Sequence, residues 1–177
     1  MNIWVNGCFD ILHTGHLELL EYAKNFKVDG FVKEGVKNKL IIGIDSDERV
    51  KQLKGDNRPI NSVLDRYKML TALKFVDLVV VFNTDDELRN KIKHYSIDYI
   101  VVGDHYIDKE VIGSKESKFG VVYYRTDLRS TTSLIDRIKN EARLEVFENM
   151  CEEFKDDAHD VNFNNYAVGN LRKLRSL

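Results

Sequence analysis

The chain has 177 residues, 43% of them hydrophobic and 32% charged, with a formal net charge of −2. These values describe an ordinary globular domain with an appendage. They exclude a global attraction for nucleic acid or an anionic membrane, so any anion has to be bound locally. No apolar run approaches the roughly 20 residues that a membrane helix needs. Cys8 and Cys151 form neither a CxxC pair nor a disulfide framework. The opening MNIWVNGCFD has neither the basic segment nor the apolar core of a signal peptide, so a cytoplasmic location is expected.

Met1 to Asn6 predicts a short buried strand ending at Gly7. Leu17, Leu19, Leu20 and Ala23 recur at helical spacing, giving a helix from Thr14 or Gly15 to about Asn25. KVDGFVKEGVKN, residues 27–38, reads as a loop or insertion before the second strand, KLIIGI, a continuous apolar run of the buried parallel type. A short helix over Asp47 to Lys54 leads into the loop GDNRPINS, which holds Pro59, the only proline. Ser62 is a good N-cap for VLDRYKMLTAL. DLVVVF is a third strand, and Asn83 or Thr84 caps a helix reaching Tyr95. DYIVVG and GVVYY are the fourth and fifth strands, and Ser130 opens a helix with Leu134, Ile135 and Ile138. The alternation predicts an α/β, Rossmann-like fold: a five-stranded parallel sheet with helices on both faces, followed by a C-terminal helical extension. The expected division is a main α/β domain over 1–139 and a helical extension over 140–177.

In such sheets ligands bind beyond the carboxyl ends of the strands, where the strand order reverses. The polar clusters fall at those ends: NGCFDILHTGH after the first strand, GIDSDERV after the second, GDHY after the fourth and RTDLRSTT after the fifth. A glycine-bearing turn from strand to helix aims backbone N–H groups and the positive end of a helix dipole at one spot, and phosphate is the natural occupant. His13 and His16 flank Gly15, so both imidazoles can face one pocket and stabilise the negative charge of a phosphoryl-transfer transition state. Three rival readings stand beside this one. The histidines can be structural, satisfied by backbone or water. They can be zinc ligands together with Cys8 or Asp10, although His94, His105 and His159 show no ligand spacing. Or the turn can be a dinucleotide site, although neither GxGxxG nor GxxxxGK[ST] is present.

GCFDILHTGH resembles the HxGH signature of the nucleotidyltransferase superfamily, and RSTTSLI resembles its second half, a helix start rich in Ser and Thr. The stretch from LKGDNRPIN through the third strand resembles the adenylyltransferase domain that makes ADP-heptose, whereas YRTDLRSTT resembles glycerol-3-phosphate cytidylyltransferases. The resemblance runs from about Ile3 to Ile138. It implies transfer of a nucleoside monophosphate from ATP or CTP to a phosphorylated sugar or alditol, with release of pyrophosphate, by a homodimer. ATP with a heptose 1-phosphate leads, and CTP with glycerol 3-phosphate is the alternative. A non-catalytic nucleotide-binding module on the same fold is a third reading. No nucleic-acid or membrane partner is expected.

By resemblance, His13 and His16 hold the triphosphate, and Ser130, Thr131 and Thr132 offer hydroxyls and helix N–H groups to the β- and γ-phosphates. The nucleophile is already an anion, so cations and hydroxyls are needed rather than a carboxylate pair. Lys54 is expected to close over the α-phosphate, with Lys51 as the other occupant of that role. Either Arg125 or Arg129 is expected at a phosphate, and Arg129 is assigned to the catalytic set. Gly7, Cys8, Phe9, Asp10 and Gly15 make up the nucleotide-binding turn, where Asp10 organises the loop or assists magnesium indirectly. Asp104 is placed for the base or ribose. Arg58, fixed by Pro59, and Arg66, on a helix, are the substrate-binding candidates; an exposed helix-surface arginine is the alternative for Arg66. Mg2+ is expected with the triphosphate, mostly water-ligated, and no residue is assigned as a metal ligand. The tail EARLEVFENMCEEF carries Leu144, Val146, Phe147, Met150, Cys151 and Phe154 at helical spacing and no chemistry.

Overall fold

Odd and even residues of the first strand divide between two cores. In the computed structural model, which describes residues 1–28, 38–125 and 131–153, Ile3 and Val5 point to one face of the sheet and Trp4 to the other. This is the period-two alternation of an extended chain. The strands are β1 (Asn2–Gly7), β2 (Lys39–Asp45), β3 (Leu78–Phe82), β4 (Tyr99–Gly103) and β5 (Val121–Tyr124). They form one sheet in the order β3-β2-β1-β4-β5, with every pairing parallel. The β1–β2 register runs from Asn2 opposite Lys39 to Gly7 opposite Ile44. The helices are α1 (Thr14–Asn25), α2 (Asp47–Lys54), α3 (Val63–Thr71), α4 (Asp85–His94) and α5 (Thr131–Glu153).

One face of the sheet buries Ile3, Val5, Leu40, Ile42, Ile44 and Val79 against Leu20 and Ala23 of α1 and Leu70 of α3. The other buries Trp4, Ile41, Phe82 and Ile100 against Leu88 and Ile92 of α4. Gly43 belongs to this second core by what it lacks: a Cβ there would sit 2.3 Å from Cζ2 of Trp4. Both faces being covered explains why the strands read as apolar runs.

Helix starts follow the side chains expected of them. Ser46, Ser62 and Thr84 each accept a hydrogen bond from the backbone N–H three residues on, at Arg49, Asp65 and Glu87. Most element boundaries fall within a residue or two of the sequence expectation. α3 stops at Thr71 and α4 at His94, with Ala72 and Tyr95 as C-caps. The short 3-10 turn Asp104–Tyr106 after β4 was not legible in the sequence.

By its internal contacts the chain divides into two compact units, Met1–Arg129 and Ser130–Leu177. The first holds the whole sheet. The described part of the second is α5, which runs without a break through Asn140. No helix among the described residues is long and apolar enough to cross a membrane.

Candidate active site

Chain order and strand order part company at β1. β2 and β3 lie on one side of it and β4 and β5 on the other, so the crevice of the parallel sheet opens between the carboxyl ends of β1 and β4. The turn carrying Cys8 to His13 leaves β1 here, and Asp104 follows directly after β4. α1 starts on this turn with His13 as N-cap, and no side chain caps it. The first N–H groups of a helix lack intrahelical acceptors, and the N-cap side chain does not take them up here, as Ser46, Ser62 and Thr84 do at α2, α3 and α4.

The turn is held rigidly from beneath. Phe9 is buried and adopts φ 48°, a left-handed conformation that costs a side chain of this size about 1–3 kcal/mol and persists where the surroundings dictate it. Gly7 lies beside the Phe9 ring, 3.4 Å from where a Cβ would be. The buried Asp10 carboxylate accepts from the N–H groups of Ile60 (2.9 Å) and Asn61 (2.8 Å) and from Nε of Arg58 (2.7 Å). The Asn61 side chain donates back to the Asp10 carbonyl. Burial alone would raise the Asp10 carboxyl, but these N–H groups and the Arg58 guanidinium hold it below its ordinary value. Asp10 is therefore the clasp between the turn and the loop around the cis Arg58–Pro59 peptide.

Arg66 is fully buried rather than an exposed helix-surface arginine. Its Nη1 donates to the Cys8 carbonyl (2.7 Å), its Nε to the Asn61 carbonyl (3.1 Å) and its Nη2 to the Asp47 carboxylate (2.7 Å). All three nitrogens are employed by the protein beneath the turn. Arg58 differs, since its Nη2 is buried with no hydrogen-bond partner among the described residues. Such orphaned donors are rare, and a phosphate oxygen would satisfy this one.

The two imidazoles stack, with centroids 3.7 Å apart and planes inclined by 26°. The Phe9 ring lies 5.1 Å from that of His16. Nδ1 of His16 is buried and has no hydrogen-bond partner among the described residues. Burial, then the neighbouring His13, then the Lys54 charge push the His16 pKa down to about 3, so at neutral pH His16 is an uncharged imidazole. The same lysine bears on Cys8: burial pushes the thiol up, and the Lys54 charge is the largest influence bringing it back. Of the two lysines the sequence left open, Lys54 is one whose charge bears on both His16 and Cys8. It is exposed, at the last position of α2.

Gly15 is buried in the first turn of α1. Arg125 is exposed just after β5. Thr131 and Thr132 open α5 in the second unit. Arg129 and Ser130 lie outside the described residues, as do 29–37 of the insertion and the tail from Phe154. Among the described residues no group of three or more His, Cys, Asp or Glu is placed to hold a metal ion. Asp47 and Asn61 were missed in the sequence. Asp47 is 19 residues from Arg66 and Asn61 is 51 from Asp10, and no local pattern links residues so far apart.

A family profile described as cytidylyltransferase-like matches residues 4–137. The chain is 43% identical over 137 residues to the bifunctional protein HldE of Campylobacter fetus subsp. fetus (strain 82-40), covering 77% of this chain and 28% of that protein. It is 41% identical over 137 residues to the bifunctional protein HldE of Helicobacter pylori (strain Shi470), covering 77% and 27%. The chain thus spans little more than a quarter of the length of these relatives. Among solved structures, a lipopolysaccharide core biosynthesis protein from Thermoplasma volcanium GSS1 has the same fold, with a TM-score of 0.54 at 20% identity, covering 72% of this chain and 98% of that one.

Proposed function

This chain belongs to the cytidylyltransferase-like family, and from that premise we propose that it is a nucleotidyltransferase, joining a nucleoside monophosphate from ATP to a heptose 1-phosphate and releasing pyrophosphate. The observation that carries the reading is the stacked pair His13–His16 at the start of α1, which no side chain caps, within the influence of the Lys54 charge and at the reversal of strand order. The heptose acceptor and the adenine base are supported by the LKGDNRPIN stretch, which resembles the adenylyltransferase domain that makes ADP-heptose, and that stretch lies in the part of the chain that is 41–43% identical to the bifunctional HldE proteins.

In the proposed reaction a phosphate oxygen of the acceptor attacks the α-phosphorus, and the bond to the β-phosphate oxygen breaks as pyrophosphate departs. The attacking oxygen is an anion, so no proton has to be removed. The protein's task is alignment and charge neutralisation. Neutral His16 donates an N–H to a phosphoryl oxygen without bringing a buried charge to the empty site. Lys54, exposed at the end of α2, supplies the mobile positive charge, and Arg58 Nη2 supplies a fixed donor. Mg2+ bound to the triphosphate would neutralise phosphate charge. The Asp10 carboxylate is already taken by Arg58, Ile60 and Asn61, so the ion would ride on phosphate oxygens and water. A cytoplasmic homodimer is part of the proposal.

The test is pyrophosphate release with Mg2+, crossing ATP and CTP against heptose 1-phosphates, other sugar 1-phosphates and glycerol 3-phosphate, with His16→Ala as control. Turnover with ATP and a heptose phosphate, lost in the variant, is expected. Turnover only with CTP and glycerol 3-phosphate would replace this reading with the one that YRTDLRSTT favours. Binding of nucleotide without any turnover would favour a non-catalytic module.

A further inference from the structure

Lys54 and His16 belong to separate segments of chain, and something must fix where one stands against the other. Lys54 is the last residue of α2. A helix is a stiff rod rising 1.5 Å per residue, so the seven steps back to Asp47 span roughly 10 Å. At that end Asp47 meets Nη2 of Arg66 at 2.7 Å, and the same guanidinium holds the Cys8 carbonyl of the histidine turn at 2.7 Å. The other ties of α2 lead elsewhere. Ser46 bonds Asn83, and Arg49 bonds Asp45 of β2 and Asp85 of α4. Arg66 alone, among these ties, reaches the histidine turn.

Burying a guanidinium is expensive, and replacing a buried ion pair by apolar side chains often stabilises a fold. What the planar fork of arginine offers instead is direction: three donors in fixed geometry, reaching three segments at once. We propose that Arg66 is a positioning residue for the transfer, locking the first residue of α2 to the histidine turn and thereby setting where Lys54 stands against His16. The inference rests on the reading of His16 and Lys54 as the groups that hold the triphosphate. It assigns Arg66 no contact with substrate.

Cys8 reports on the tether without any turnover, because the Lys54 charge lowers its thiol pKa. The experiment measures the pH midpoint of Cys8 alkylation by iodoacetamide in the 177-residue protein carrying Cys151→Ser, alone and with Asp47→Ala, Lys54→Ala or both. Lys54→Ala is expected to move the midpoint up. Asp47→Ala is expected to move it up as well, because Lys54 is no longer held. Simple loss of a carboxylate would move it down. The double variant is expected to match Lys54→Ala alone. Arg66→Lys is expected to follow Asp47→Ala, and Asp47→Ala carries the test if the buried substitution does not fold.

Kinetics supply the second readout. Asp47→Ala is expected to lower kcat on the order of tenfold or more, as small misplacements do, with little change in KM and no further loss when added to Lys54→Ala. A midpoint that stays or falls in Asp47→Ala, or kcat losses that multiply in the double variant, would overturn the assignment. An inactive parent protein would overturn the transfer reading, and the thiol midpoint would then decide the tether by itself.

Discussion

Replacing His16 by asparagine removes a group that the fold keeps uncharged, and the consequence is a change in how stability depends on pH. An imidazole in the unfolded chain titrates near 6.5, whereas in the folded protein burial, His13 and Lys54 bring His16 to about 3. Between these values the unfolded chain binds a proton that the folded protein refuses. His16 therefore costs no stability above about pH 7, and the fold loses stability as pH falls from 6.5 toward 3. At pH 5 the unfolded imidazole is about 97% protonated and the folded one about 1%, so the loss relative to pH 8 is about 2 kcal/mol. The figure is insensitive to where below pH 4 the folded value lies, because the folded protein is then essentially unprotonated at pH 5. Urea denaturation of wild type and His16→Asn at pH 8 and pH 5 measures it. Wild type is expected to lose about 2 kcal/mol more than the variant between the two pH values. Equal losses would show that His16 is free to take a proton in the folded protein, and the neutral donor assigned to it would have to be abandoned.

Asp10→Asn is expected to destabilise by about 3–5 kcal/mol, because it breaks the pair that the buried Asp10 carboxylate makes with the partly buried Arg58. The variant should also lose part of the acid sensitivity that the wild-type carboxylate confers as pH falls below its ordinary value; denaturant melts at pH 7 and about pH 3 report both effects. Gly43→Ala drives a methyl into the Trp4 ring and is expected to cost about 1–3 kcal/mol. Trp4→Phe in the same chain should recover part of that cost, and additive losses in the thermodynamic cycle would disprove the clash. Ser62→Ala removes the cap of α3 and is expected to cost about 1 kcal/mol by thermal or chemical unfolding, with no change in nucleotide affinity.

Local rules made much of the fold legible before any coordinates. KLIIGI and DYIVVG read as strands, since a sheet covered on both faces requires apolar side chains in both directions, and both occur as β2 and β4. Ser62 and Thr84 announced the helices they cap, since an N-cap needs only a hydroxyl and the N–H three residues later. The expectation that NGCFDILHTGH stands where the strand order reverses is met by the observed order β3-β2-β1-β4-β5. A first strand placed at the centre of a doubly wound sheet leaves no other arrangement for its turn.

The supports of that turn were not legible. Asp10 had two readings in the sequence, loop organiser or indirect aid to magnesium, and only its hydrogen bonds to Ile60 and Asn61 show where its lone pairs are spent. Arg66 reads in the sequence as a substrate-binding candidate or an exposed helix-surface arginine, and its burial was not legible because burial is set by what folds over a residue and not by its neighbours in the chain. Lys51 and Lys54 stand three apart on α2, and periodicity treats them alike. It is the direction of α2 relative to the histidine turn that brings the charge of Lys54 onto His16 and Cys8. Spacing along the chain thus determined the strands, the helix starts and the place of the histidine turn, since each depends on groups within a few residues of one another. The neutral state of His16, the clasp at Asp10 and the tether at Arg66 were decided by tertiary structure alone, because desolvation and hydrogen bonding between residues 48 to 58 apart exist only once the segments are packed.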